Sequence, residues 1–274
     1  MNYNETKDYL KRYLKARIPL IIIRSLEKSR VLNMLKEISN ETNINFNTYK
    51  MSEGIVDLKT NTIISEEKTI MSALDYISDR IRHEENLNFI LSDTADINDS
   101  NTVSRYLQNI IEQIETKSGS IIIITNEFVW QNITRLGISI ELSYPTEEEL
   151  EQIITNTIKP YKNQINVEWS EEDYKKAAQY LQGLSEMEVK NIISSLIING
   201  QILKSDLKEL KYSKQRLFNE IVGLEAIEVP EDLEIAGLDN LIDWLKEKKT
   251  LMDPTLKEEL YREFPLPVWF IPVK

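Results

Sequence analysis

The sequence predicts an α/β fold: a parallel central sheet flanked by helices, continued by a small all-helical subdomain and a helical C-terminal extension. Two observations carry this. Across residues 1–145 short apolar runs alternate with stretches of helical periodicity, the order that a parallel sheet with crossover helices requires. From residue 146 the strand-like runs stop and the periodicity becomes purely helical.

Leu20-Ile21-Ile22-Ile23, entered through Pro19, reads as a central strand buried on both faces. Val31, Leu32, Leu35 and Ile38 follow at helical spacing. Residues 45–51 alternate more weakly as a second strand, and residues 54–62 read as a hairpin or a loop. A helix over 70–81 leads to a strand over 87–91. Val103, Leu107, Ile110, Ile111 and Ile114 then form one stripe of a helix capped near Asn101. A strand over 121–125, a short helix around Trp130 and Ile133, and a strand over 138–142 bring the expected total to five.

Three helix starts follow closely. Thr146 with Glu149, Ser170 with Asp173, and Ser185 with Glu188 each place an acid three residues after a hydroxyl, as in a capping box. They define a helical subdomain over 146–212. The acidic, proline-containing stretch 213–236 reads as a helix running into a linker. Within 237–274, Leu238, Leu241, Trp244 and Leu245 lie on one side of another helix, and Val268–Ile271 is strand-like with no following partner.

Composition narrows the chemistry. The 274 residues are 41% hydrophobic and 28% charged, as in a globular protein with one or two real cores. The absence of cysteine excludes disulfides, thiolate metal sites and thiol catalysis, and agrees with a reducing compartment. Apolar runs of about five residues are far short of the roughly 20 that span a bilayer, so no membrane association is expected. The net charge of −12 is uneven: residues 1–50 carry +5 and the remainder −17. An acidic body argues against nucleic acid, whose binding draws on phosphate neutralisation. The basic N-terminal helix is either a solvated face or a contact for an acidic partner.

None of the seven glycines precedes Lys-Ser or Lys-Thr. A phosphate loop of the form G-x-x-x-x-G-K-[ST] cradles phosphates with backbone N–H groups and one lysine, and this chain has none. After the first strand it reads Arg24-Ser25-Leu26-Glu27-Lys28-Ser29-Arg30. Lys28-Ser29 copies the last pair of such a loop, but Leu26 and Glu27 stand where flexible backbone is needed, and Glu27 repels phosphate. A Ser-capped helix start and a weak anion site both remain open there.

Several stretches resemble a subfamily of AAA ATPases found in plastids and many bacteria. They are residues 14–23 and 30–32, Gly54-Ile55, the acid-ending strand at Asp93, Tyr144-Pro145 with Glu149-Leu150, and Gly183-Leu184-Ser185 with Glu188 and Asn191. The most specific is the run Ala236-Gly237-Leu238-Asp239-Asn240-Leu241-Ile242-Asp243-Trp244-Leu245, which resembles the opening of that subfamily's catalytic module. The resemblance implies an AAA+-like five-stranded parallel sheet in the order 5-1-4-3-2 and a helical lid. It further implies a degenerate N-terminal module over 1–145 and 146–212, with a catalytic module beginning at 237–274 and truncated there.

It also implies roles. Lys28, Ser29, Asp93 and Asn126 fall at degenerate Walker-like positions: phosphate-binding, magnesium-holding and water-orienting sites of a catalytic relative. Asp93 and Asn126 equally suit ordinary turn chemistry at strand ends. Asp93, Asp96 and Asp99 lack the spacing of a calcium loop. Arg135 falls where AAA subunits present an arginine finger to a neighbour, or it is a surface turn. His83, the single histidine, has no nucleophile motif to serve.

No catalytic residue, metal or cofactor is expected of this chain; ATP and magnesium belong to a catalytic parent. The expected function is a non-catalytic AAA-like module acting in ring assembly or in binding a partner or substrate. Its expected associates are a protein partner or further copies of the chain, in the cytoplasm or plastid stroma. The alternatives are an ATP-hydrolysing AAA ATPase whose chain continues past residue 274, and a clamp-loader-like or adaptor subunit.

Overall fold

The computed structural model describes residues 1–92, 95–222 and 243–244. Residues 1–223 form one unit. The expected linker from residue 223 onward, the run at 236–245 apart from the exposed helical pair Asp243–Trp244, and the stretch 268–271 lie outside the described residues.

The α/β part runs α1 (Tyr3–Lys15), β1 (Leu20–Arg24), α2 (Lys28–Thr42), β2 (Asn47–Lys50), β3 (Gly54–Asp57), β4 (Ile63–Ser65), α3 (Ile70–His83), β5 (Asn88–Leu91), α4 (Thr102–Thr116), β6 (Ser120–Thr125), α5 (Gln131–Thr134) and β7 (Ile138–Glu141). The sheet has seven strands, in the order β4-β3-β2-β5-β6-β1-β7. Five of them, β7-β1-β6-β5-β2, are parallel, in the expected 5-1-4-3-2 sequence. The expectation of five strands is therefore two too few. The stretch 54–62 supplies β3 and leads into β4, which extend the sheet antiparallel beyond β2. Strands of three and four residues, with the turn between them built by Asp57, give too little alternation to be read from sequence. Gly54, at φ +90°, is needed there: a Cβ would stand 2.2 Å from the Ser65 carbonyl oxygen.

Strand periodicity decides the layers. Leu20 and Ile22 of β1, Phe89 and Leu91 of β5, and Ile121 and Ile123 of β6 face one way, against Leu74, Ile77, Leu107, Ile110 and Ile114 of α3 and α4. Ile21, Ile23, Ile90, Ile122 and Ile124 face the other, against Leu10 and Leu14 of α1 and Val31, Met34, Leu35 and Ile38 of α2. Each such buried side chain contributes about 1.5–3 kcal/mol. At the β7 edge Gly137 permits close approach, since a Cβ there would lie 2.1 Å from the Leu20 carbonyl oxygen.

Beyond β7 come α6 (Glu147–Ile158), β8 (Asn166–Val167), α7 (Glu171–Leu181), α8 (Glu186–Ile198), β9 (Gln201–Ile202) and α9 (Asp206–Val222). The three capping boxes at Thr146, Ser170 and Ser185 are all formed. This block is not purely helical: β8 and β9 make a short parallel pair, held beside the Trp169 indole N–H that donates to the Leu203 carbonyl at 2.8 Å. Two-residue strands carry no readable period. Helix α9 also continues through residue 212, where the sequence suggests the subdomain ends. The block has its own core of Leu150, Ile154, Ala177, Leu181, Val189, Ile193 and neighbours.

Candidate functional site

Parallel strands deliver their C-terminal ends to one edge, where α/β sheets bind ligands. Here β1, β6 and β7 end at Arg24, Thr125 and Glu141, which stand side by side in register. A pocket of about 80 Å³ lies above them, lined by Arg24, Ser25, Leu26, Glu27, Asn126, Glu141 and Leu142–Tyr144. Small-molecule sites enclose roughly 300–1,000 Å³, so this one is small.

The β1–α2 connection consists of Ser25, Leu26 and Glu27 alone. Ser25 does not cap the helix; its Oγ accepts the Glu27 N–H at 3.1 Å, and Glu27 is itself the N-cap residue, with no side-chain cap bond. Leu26 is 66% exposed. The Glu27 carboxylate turns inward. Its Oε2 accepts from Arg30 Nη1 at 2.6 Å, and its Oε1 accepts the backbone N–H of Glu186 at 2.6 Å. That N–H is the first of α8 and has no partner within its own helix, so a carboxylate from the sheet domain caps a helix of the following block.

Arg30 is the centre of the arrangement, and only 3% exposed. Besides Glu27 its Nη1 donates to the Ser143 carbonyl at 2.9 Å, and its Nη2 to Glu149 Oε2 at 2.5 Å. Its Nε lies 3.9 Å from Glu186 Oε2. The Tyr3 ring sits 5.5 Å from the guanidinium carbon. Glu149 also accepts the N–H groups of Tyr3 at 2.7 Å and Thr146 at 3.0 Å. Ser143 donates from its backbone and hydroxyl to the Met1 carbonyl. Burial, followed by the charge and hydrogen bond of Glu37 and the charge of Glu186, raises the Tyr3 phenol well above its usual value, so it stays neutral. Burial, then Glu188 and Glu27, also raises Tyr144.

The sequence-predicted positions are only partly brought together. Lys28 and Ser29 open α2 beside this cluster, Ser29 exposed. Asn126 is exposed and lines the pocket with Glu27. Asp93 lies outside the described residues, and Asp96 and Asp99 are exposed. Among the described residues no group of acids and histidine is arranged to hold a metal. Arg135, exposed at the end of α5, precedes β7 and so lies at the opposite, N-terminal edge of the sheet. His83 is exposed, 3.9 Å from Asp79. Two of the four cations of α1 are matched within the fold: Lys7 pairs with Glu37 and Glu41, and Lys11 with Glu41.

Sequence reading missed the Arg30 cluster. Its one local sign is Glu27-x-x-Arg30 at the start of a helix; Glu149 and Glu186 are 119 and 156 residues away from Arg30.

Comparison with known proteins agrees with this architecture. A family model described as SpoVK-like AAA ATPase, N-terminal domain, matches residues 6–133, and one described as SpoVK-like AAA ATPase, second domain, matches residues 148–220. The chain is 28% identical over 243 residues to the uncharacterized AAA domain-containing protein ycf46 of Trieres chinensis, covering 86% of this chain and 47% of that protein. With its counterpart from Pyropia yezoensis it shares 27% over 254 residues, covering 89% and 49%. It thus spans about half the length of these relatives. Among solved structures it resembles C. elegans PCH-2 (TM-score 0.55, 14% identity, 78% of this chain and 68% of that one). It also resembles a chain of an E. coli HORMA:CdnC:Trip13 complex (0.54, 11%, 82% and 90%) and a RuvB mutant of Thermotoga maritima (0.51, 14%, 97% and 97%). Identities this low speak to fold alone. Among the described residues no helix is long and apolar enough to cross a membrane. The chain belongs to the SpoVK-like AAA ATPases, of which it carries the N-terminal and second domains.

Proposed function

We propose that this chain is a non-catalytic module of a larger AAA ATPase, its helical block standing as a lid that is fixed rather than nucleotide-driven. One observation carries the reading. Where a phosphate loop would join β1 to α2, three residues without glycine place the Glu27 carboxylate, already engaged by Arg30 and the Glu186 N–H. A phosphate there would meet a carboxylate rather than a ring of backbone donors. Lys28, Ser29, Asp93 and Asn126 are then remnants of a nucleotide site, and ATP and magnesium serve a catalytic domain elsewhere in the parent.

The module's work is to assemble a ring or to hold a protein partner or substrate. One structure of like fold is a chain of a HORMA:CdnC:Trip13 complex, and partner binding of that general kind is the role we assign. Arg135 is available at the far sheet edge for a neighbouring subunit. A cysteine-free chain suits the cytoplasm or stroma, and its acidity disfavours nucleic acid. The test is titration of a fluorescent ATP analogue, with magnesium, into the chain. No saturable signal at micromolar concentration is expected; a signal displaced by unlabelled ATP would refute the reading.

A further inference from the structure

The apolar packing divides at the link between β7 and α6. Two clusters flank the sheet and draw their buried residues from positions 10–142; the third draws from 150–210. What crosses the division at Arg30 is polar: the guanidinium to Glu149, the Glu27 carboxylate to the Glu186 N–H, and the Tyr3 N–H to Glu149.

We propose that the sheet domain and the helical block are two self-contained packing bodies held at one angle by this electrostatic clasp, and that loss of the Arg30 charge frees the block to move as a unit. Charge-assisted hydrogen bonds at these distances tolerate little angular change, so a clasp of this kind sets orientation as well as proximity. Its sign is conditional. Glu27, Glu149 and Glu186 converge on one guanidinium, and Lys190 pairs with Glu186 from within α8. Without Arg30 the same three carboxylates repel one another across the joint, turning attraction into separation. An interface of interdigitated apolar side chains has no such reversal, because burial is favourable whatever the charge.

The absence of native cysteine makes the joint directly measurable. Asn40→Cys on α2 and Lys175→Cys on α7 are exposed, one on each body, and accept spin labels. Pulsed dipolar spectroscopy on the full chain should give one narrow distance. Adding Arg30→Met should abolish that single distance in favour of a broad distribution, while circular dichroism keeps the helical content of both bodies. An unchanged narrow distance would overturn the proposal, and so would loss of helical structure in the block. Should Arg30→Met express poorly, Glu149→Gln removes one clasp charge while leaving an amide oxygen for the Thr146 N–H. Partial broadening supports the clasp, and an unchanged distance overturns it.

Discussion

The carboxylate of Glu27 meets the backbone N–H of Glu186 at 2.6 Å, across 159 residues of chain. Each end of this bond explains the other. Helix α8 begins with an orphan donor that a negative group satisfies, and Glu27 is turned inward by Arg30 in the same first turn of α2. The β1–α2 connection therefore acts as a structural joint.

Buried ion clusters respond unequally to partial and complete removal. Arg30→Met should destabilise the chain by about 3–5 kcal/mol, because it strands the buried Glu27 carboxylate and the half-buried Glu149. Adding Glu149→Gln should recover part of that loss, although Glu149→Gln alone is destabilising. Denaturant midpoints of the two single variants and the double check this. Simple additivity would mean that the two side chains do not interact.

Ser185→Ala should cost about 0.5–2 kcal/mol, since the hydroxyl accepts the Glu188 N–H at the start of α8. Thermal unfolding against the parent chain measures it. Ser29→Ala, on an exposed position in the first turn of α2, serves as the near-neutral control.

Gly137→Ala should destabilise by about 1–3 kcal/mol through overpacking, because its methyl group would stand 2.1 Å from the Leu20 carbonyl oxygen and press β7 away from β1. Alanine at Gly200, where nothing lies within 4 Å of an added Cβ, strains only a backbone at φ +76°. The two variants thus separate crowding from conformational strain by calorimetry.

The α1–α2 contact has a defined pH dependence. The hydrogen bonds of Lys11 and then Lys7 hold Glu41 down to about 2, against an ordinary 4.5. A lowered carboxylate stabilises the fold above its unfolded value and ceases to as pH falls towards its folded one. Glu41→Gln should therefore be less stable than the parent at pH 7. The difference should shrink between about pH 4.5 and about 2, as read from denaturation curves at each pH.

Much of the fold is legible in the sequence because its signals are local. Ile21 to Ile23 alternates between two cores, and Thr146, Ser170 and Ser185 announce three helices with an acid three residues on. The β3–β4 hairpin and the β8–β9 pair are less legible, since strands of two to four residues show no period and depend on partners elsewhere. The site is the least legible part. Glu149 already has a local task in the α6 capping box, so its second bond, to Arg30, leaves no trace in spacing. Glu27 beside Lys28-Ser29 reads as a flaw in a phosphate loop, and only the fold shows it as one partner of a buried joint.

Whether this joint occupies the place of a nucleotide is decided by the unfolding temperature of the chain with and without magnesium-ATP. A ligand at 100 times its dissociation constant adds about 2.7 kcal/mol of stability, which raises the transition by several degrees. No change is expected at millimolar ATP. A rise that scales with ATP concentration would contradict it.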